Sequence, residues 1–341
     1  MKKLFAVMTA SAFALSLAAC SGSPASGSSS SSGSQAGATA ENTDAASYRI
    51  AIVQQMDHSS LDQIRTAIEA ELDARAAADG VTIEYKEFNG QNDATMLNQI
   101  GTQVVSDGYD AIIPIASLAA QCMVTAADGD IPVIYAAISD PATAGLTDLE
   151  NVTGTSDALD TNMIMDMMFA VNPEIQTVGL LYSNSEPNSE TPIAEAKAYL
   201  EDKGIDYVEA TGNTTDEVLT AVSTLTDRVD AVFTPTDNVI MGAAGAVAET
   251  LTDAGIPFYA GADSFVTSGA FATCGVNYTD LGTYTADMAL DVLETGTVPE
   301  YHVMDGGIIT VNTETAAALG IDYSAFQDLA GQVVEVTTEA E

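Results

Sequence analysis

The sequence predicts an α/β protein of two similar lobes, each a parallel sheet flanked by helices, joined by a three-strand hinge. Three observations lead there. From Tyr48 onward, short and nearly continuous apolar runs alternate with amphipathic stretches, as expected of strands buried on both faces between helices. The pattern runs twice: Asp110-Ala-Ile-Ile-Pro-Ile-Ala-Ser117 is echoed by Asp230-Ala-Val-Phe-Thr-Pro-Thr-Asp237, and Ile131-Pro132-Val-Ile by Ile256-Pro257-Phe-Tyr. The offsets are 120 and 125 residues, which is a duplicated unit and not a short-period array. The chain of 341 residues also suits two domains of roughly 100–200 residues each.

The chain opens with an address. Residues 1–19 join a basic start (Met1-Lys2-Lys3) to an apolar run from Leu4 to Leu17, a secretory signal pattern too short to span a bilayer comfortably. Leu17-Ala18-Ala19-Cys20 resembles the bacterial lipoprotein box, with Cys20 expected to be lipidated. Acyl chains contribute about 0.8 kcal/mol per buried methylene, so a multiply acylated Cys20 anchors the chain at a membrane surface. Residues 20–47 are Ser, Gly and Ala with almost no large apolar side chain, a composition expected to remain a disordered tether.

The first lobe is read as residues 48–155 plus 278–307, the second as 156–277 plus 308–335. Ile50-Ala51-Ile52-Val53 is a strand, and Leu61, Ile64, Ile68 and Leu72 share one helical face. Val81–Phe88 is a strand, Leu97, Ile100 and Val104 mark a helix, and Asp110–Ile115 and Ile131–Ala136 are further strands. The second lobe repeats this order: strand Thr177–Tyr182, helix Pro192–Lys203 stopped by Gly204, strand Asp206–Ala210, and helix Glu217–Leu225. Phe271–Tyr278 is strand-like, Leu281–Leu293 is helical and Ile308–Val311 closes the set. Crossings between lobes are expected near Thr153–Asp157, Val276–Tyr278 and Gly307–Thr310.

Composition removes several functions. Nine Lys and Arg face 49 Asp and Glu, a formal charge of −40, which leaves nothing to neutralise phosphates and so excludes nucleic acid. Adhesion to anionic lipid by charge is excluded likewise. Three Cys and two His give neither a disulfide framework nor a metal constellation, so no cofactor or metal is expected. Cys122 and Cys274 read as buried free thiols, and Met163, Met165, Met167 and Met168 as core and hinge filler. With His58 and His302 alone and no Gly-x-Ser-x-Gly elbow, a hydrolase lacks its nucleophile–base pair.

In such a sheet, ligand-binding residues follow the strand ends. Here those turns carry Gln54 and His58; Ser117 and Gln121; Ser139 and Asp140; Ser185, Glu186, Asn188 and Ser189; Thr236, Asp237 and Asn238; and Asp263. Each position also suits a helix N-cap, but caps alone do not concentrate amides and carboxylates in six turns that converge on one cleft. No arginine is placed to face that cleft, so a ligand carboxylate must rest on hydroxyls, amides and helix N-termini. Asp140, Asp237 and Asp263 suit an ammonium group. The combination points to a zwitterion such as an amino acid, and the absence of Trp weighs against a stacked sugar.

These residues, in this order, resemble the tryptophan/tyrosine-type substrate-binding lipoproteins of ABC transporters. The match rests on His58 with Leu61-Asp62, Ile113-Pro114-Ile115-Ala116-Ser117, Ser139-Asp140-Pro141 with Gly145-Leu146, and Asn151-Val152-Thr153-Gly154. It continues with Gly179–Tyr182 running into Asn184–Ser189, Pro235-Thr236-Asp237-Asn238, and Val311-Asn312 with Ala318-Leu319-Gly320. The resemblance spans Tyr48 to Tyr323. It implies Rossmann-like lobes of the type I periplasmic-binding-protein fold, closing on an amino acid, often aromatic, and delivering it to an ABC permease and its ATPase. Where the family has Thr-Pro and His-Pro, this chain has Ser117-Leu118 and His58-Ser59.

The expectation is therefore an extracytoplasmic, monomeric receptor held to the membrane only by its lipid. Ser117, Gln121, Ser139 and Asp140 would bind from the first lobe, and Ser185, Glu186, Asn188, Thr236, Asp237 and Asn238 from the second. Asp237 is assigned the ligand ammonium, with Asp263 as the alternative, and Tyr182, Phe265 or Met56 the aromatic wall. A sensor that presents its closed form to a membrane receptor, or a binder of a sugar or nucleoside, is the alternative.

Overall fold

The computed structural model describes residues 46–339, so the leader, Cys20 and nearly all of the tether lie outside the described residues. In chain order come β1 (Ser47–Gln54), α1 (Ser59–Asp79), β2 (Thr82–Asn89), α2 (Ala94–Asp107), β3 (Ala111–Ile115), α3 (Ser117–Ala127), β4 (Val133–Tyr135) and β5 (Val152–Ser156). Then follow α4 (Thr161–Val171), β6 (Thr177–Tyr182), α5 (Glu190–Lys203), β7 (Asp206–Thr211), α6 (Thr215–Ser223) and β8 (Ala231–Thr234). Next are α7 (Asn238–Met241), α8 (Ala244–Asp253), β9 (Phe258–Ala260), α9 (Asp263–Thr267) and β10 (Ala272–Gly275). The chain ends with α10 (Tyr278–Thr295), β11 (His302–Val303), β12 (Ile308–Asn312), α11 (Thr313–Leu319) and β13 (Gln332–Val336).

Two sheets result. The first has the order β11-β5-β4-β3-β1-β2 and is parallel throughout. The second has the order β13-β12-β10-β9-β8-β6-β7 and is parallel except where β10 meets β12 antiparallel. That reversal departs from the all-parallel expectation: β12 arrives from a strand of the other sheet and not through a crossover helix of its own. The chain passes from the first sheet to the second after β5, back after β10, and forward again between β11 and β12.

The central strands are buried because they are Ile-, Val- and Ala-rich on both faces; Ile50, Ala51, Ile52 and Val53 are all inaccessible. Leu61, Ile64, Ile68 and Leu72 form the buried stripe of α1, which lies against α10. There Gly282 permits the contact, since a Cβ would stand 2.6 Å from the Ile64 carbonyl oxygen. Ile164, Met165, Met167 and Met168 of α4 fill the core of the second lobe. Cys122 and Cys274 are buried and free.

The sheet orders also fix where a ligand can sit. Strand β1 is flanked by β2 and β3, and β6 by β7 and β8, so each lobe reverses its winding direction at that strand. The turns leaving β1, β3, β6 and β8 therefore open a crevice at the carboxyl ends of the strands. None of the described helices is long and apolar enough to cross a membrane.

Candidate functional site

The crevices of the two lobes meet in one cavity, with about 390 Å³ of empty space when its mouth is included. His58, Ser60, Leu61, Ala116, Ser117, Ala137 and Ser139 line it from the first lobe, and Asn188, Thr236, Asp237, Asn238, Met241, Ala262 and Phe265 from the second. Asp157 and Tyr278, on the two crossings, complete the lining. Two wall residues, Ala116 (φ 76°) and Ala137 (φ 57°), hold backbone conformations with positive φ that alanine rarely adopts. Each costs on the order of 1–3 kcal/mol, a strain that concentrates at ligand clamps. Ala116 thereby turns the chain sharply into α3, so that Ser117 and the helix N-terminus border the cavity.

The lobes touch through polar bonds. His58 Nε2 lies 3.0 Å from Asn238 Oδ1, and Ser139 Oγ 3.0 Å from Thr236 Oγ1. Gln55 Nε2 donates to Glu186 Oε1 at 3.2 Å, and Thr191 Oγ1 donates to Asp140 Oδ2 at 2.6 Å. Ser60 and Ser264 pair through their hydroxyls. Gln55 is inaccessible and also receives the Leu118 amide on its Oε1 at 3.0 Å, which ties β1 to α3 and both to the opposite lobe.

The electrostatics are one-sided. Asp157 is buried, and its two oxygens accept from Ser139 Oγ (3.0 Å) and Tyr278 Oη (3.2 Å). No Lys or Arg lines the cavity, and among the described residues every ion pair lies elsewhere. Burial raises the Asp157 carboxyl above its ordinary range, only partly opposed by those two hydrogen bonds. Glu186 and Asp237 are raised as well, chiefly by burial, Glu186 also by the neighbouring Asp237 charge. Burial lowers the His58 imidazole, outweighing the bond to Asn238 and the nearby Asp62 and Asp57 charges, which favours the neutral ring. Such a site lacks a cation and offers hydroxyls and a helix N-terminus beside that lack.

Seven of the expected residues line the cavity: His58, Ser117, Ser139, Asn188, Thr236, Asp237 and Asn238. Asp237, however, has no free valence for an ammonium group. Its Oδ1 accepts the amides of Val239 and Ile240, and its Oδ2 accepts Ser183 N and Ser189 Oγ, all within 3.0 Å. It caps α7 and fixes the turn after β6, whereas Asp157, which also lines the cavity, accepts side-chain bonds from Ser139 and Tyr278 alone among the described residues.

The other seven turn away, each for a local reason. Gln54 is consumed by Met56 O, Asp62 and Arg65, and Gln121 donates to Ala144 O. Asp140 caps its own turn through Thr143 N and Oγ1. Ser185 pairs with Ser183, and Ser189 serves Asp237. Glu186 stands behind the wall, holding Asn238 Nδ2 at 2.6 Å. Asp263 borders a separate cavity beside the β10 and β12 crossings.

Of the expected aromatic wall only Phe265 lines the cavity; Tyr182 donates to Glu209 on the outer surface, and Met56 packs against the core. Leu61 and Met241 supply the remaining apolar wall. Asp157, Tyr278 and Gln55 were not anticipated. The same strand-end rule reaches all three, since each follows a strand terminus by one to three residues.

Residues 49–333 match the protein family described as ABC transporter substrate binding protein. The chain is 33% identical over 287 residues to the tyrosine-binding protein of Clostridioides difficile, covering 82% of this chain and 83% of that protein. It is similar to an ABC domain from Streptococcus pneumonia solved in complex with L-Trp, at 32% identity and TM-score 0.78, covering 85% of this chain and all (100%) of that one. A substrate-binding protein with adhesive properties from Clostridium difficile, solved ligand-free and open, is similar at 31% identity with a lower TM-score of 0.65, covering 86% of this chain and 100% of that one. The two-lobed architecture is that of type I periplasmic binding proteins.

Proposed function

The chain belongs to the ABC transporter substrate-binding protein family, whose members bind solutes and are not enzymes, and on that footing we propose that it captures an aromatic amino acid between its lobes. The ligand is tryptophan, tyrosine or phenylalanine, taken up by hinge closure outside the cytoplasm. The protein is held to the membrane through Cys20 and passes its ligand to an ABC permease driven by its ATPase.

The observation that carries the reading is the buried, cation-free carboxylate of Asp157 in a cavity that both lobes line. Holding an ionised carboxylate out of water is costly unless an opposite charge joins it, and an α-ammonium group supplies that charge. Asn188 Oδ1, buried with no hydrogen-bond partner among the described residues, offers the ammonium a further acceptor. The α-carboxylate goes to the Ser117 hydroxyl and the N-terminus of α3, where the helix dipole favours an anion. Leu61, Met241, Ala262 and Phe265 then surround the ring. The likeness to a tryptophan-bound domain and to a tyrosine-binding protein supports an aromatic side chain.

A thermal-shift panel of the twenty amino acids, with sugars and nucleosides, tests this. A ligand at 100 times its Kd adds about 2.7 kcal/mol to native-state stability, so one or more of Trp, Tyr and Phe raises the melting temperature. Stabilisation only by a sugar or nucleoside overturns the ligand class. Release of the Cys20→Ala variant from membranes on fractionation tests the anchor.

A further inference from the structure

The hydrogen-bond network behind the cavity wall fixes the chemistry of one lining atom. Asn238 Nδ2 donates to Glu186 Oε2 at 2.6 Å, while Gln55, itself oriented by the Leu118 amide on its Oε1, donates to Glu186 Oε1. Gln55 thus presents a donor to one Glu186 oxygen, and with Glu186 ionised the other accepts from Asn238 Nδ2, which leaves Asn238 Oδ1 pointing to His58. An amide oxygen only accepts, so His58 Nε2, 3.0 Å away, carries the ring proton. In a neutral imidazole the other nitrogen is then a bare acceptor. That atom, Nδ1, is buried and has no partner among the described residues, although His58 sits at the N-cap of α1, where a side chain ordinarily caps the helix. The ring lines the cavity together with Leu61, Met241 and Phe265.

We propose that His58 Nδ1 accepts a hydrogen bond from the ligand's ring, so that the site selects aromatic amino acids bearing a ring donor, the phenol O–H of tyrosine or the indole N–H of tryptophan, over phenylalanine. This rests on the aromatic amino-acid reading above and adds what that reading leaves open. A site built to accept from a ligand O–H or N–H rejects the analogue that lacks it, because the buried acceptor is then left unpaired. Glu186, Gln55 and Asn238 are positioning residues: they hold the tautomer and do not touch the ligand through this bond.

Calorimetric titration of the wild-type protein and of His58→Leu with Tyr, Trp and Phe tests the proposal. In the wild type, Tyr or Trp binds at least tenfold more tightly than Phe. In His58→Leu the gap closes to within about threefold: Phe loses only what the missing bond to Asn238 contributed, Tyr or Trp loses more, and the Phe binding that remains shows that the variant folds. His58→Asn, which leaves an acceptor near the Nδ1 position, restores part of the gap. Independently of any variant, the ¹⁵N resonance of His58 Nδ1 moves on addition of Tyr or Trp and not of Phe; with two histidines in the chain, one comparison with His302→Gln assigns it. Equal binding of Phe and the better of Tyr and Trp by the wild type overturns the proposal, as does an equal loss of all three ligands in His58→Leu. If no aromatic amino acid binds the wild type while another solute does, the functional reading fails first, a result distinct from either of these.

Discussion

Replacing Asp157 with Asn separates a ligand-binding carboxylate from a structural one, because the two roles move affinity and stability in opposite directions. The substitution keeps the shape and the local hydrogen bonds: the amide oxygen still accepts from Tyr278, and the amide nitrogen can donate to Ser139. What is lost is one negative charge, buried and without a cation among the described residues. Removing one partner of a buried, hydrogen-bonded charge pair costs about 2–5 kcal/mol of binding. At 1.4 kcal/mol per tenfold, the dissociation constant should rise by roughly thirtyfold to several thousandfold. The ligand-free protein should melt no lower than wild type, and up to a few degrees higher, since an uncompensated buried charge has been removed. Calorimetric titration with the best ligand and thermal melting of the same sample read both. A dissociation constant within about threefold of wild type, with a lowered melting temperature, refutes the reasoning and makes Asp157 a structural group.

Asp237→Ala should act on the fold: four donors lose their acceptor, and urea unfolding should show a loss of about 2–4 kcal/mol, within the range for breaking a buried polar network. Glu186→Gln sets an amide nitrogen against either Gln55 or Asn238, both donors; Tyr or Trp affinity should fall about tenfold by titration, while Phe changes less. The pH dependence has a definite sign. Asp157, Glu186, Asp237 and Asp263 are all raised by burial, so the folded state binds more protons than the unfolded one. Their contribution is full below the unfolded value of about 4 and is lost as pH climbs through the folded values. Melting temperatures of the ligand-free protein should therefore fall between about pH 5 and pH 8, while amino-acid affinity, which needs Asp157 ionised, should rise over the same interval.

Much of this architecture is written in local pattern. The apolar runs that become β1, β3, β6 and β8 are short, β-branched and continuous, and the repeat of Asp110–Ser117 at Asp230–Asp237 places equivalent turns in both lobes. Those turns hold His58, Ser117, Asn188, Thr236 and Asn238 at the cavity. Pattern does not decide which of several polar side chains in one turn points inward. Asp140 and Asp237 have the same composition cue, yet one caps an outer turn and the other saturates an inner one, because backbone amides compete for a carboxylate as effectively as a ligand does. Asp157 and Tyr278 lie on two crossings 121 residues apart in sequence, and their approach to one another depends on how the lobes are brought together. Gln55 is buried beside Gln54, and only the alternation of a strand end distinguishes them.

The bonds between the lobes bear on why such a protein would close at all. Those at His58–Asn238, Ser139–Thr236, Gln55–Glu186 and Thr191–Asp140 are polar, and each exchanges for water when the lobes part. A net contribution of about 0.5–1.5 kcal/mol per bond is thus set against the cost of drying Asp157 and Glu186. These terms oppose one another, which narrows the free-energy difference between the two arrangements. A ligand shifts such an equilibrium only by its differential affinity for the closed form. An ammonium group on Asp157 supplies that difference: it cancels the burial cost that otherwise favours opening, and it does so only when both lobes surround it. On the proposed reading the carboxylate that destabilises the closed arrangement is therefore the same group that makes closure depend on an amino acid, and the Asp157→Asn protein should close more readily and discriminate less.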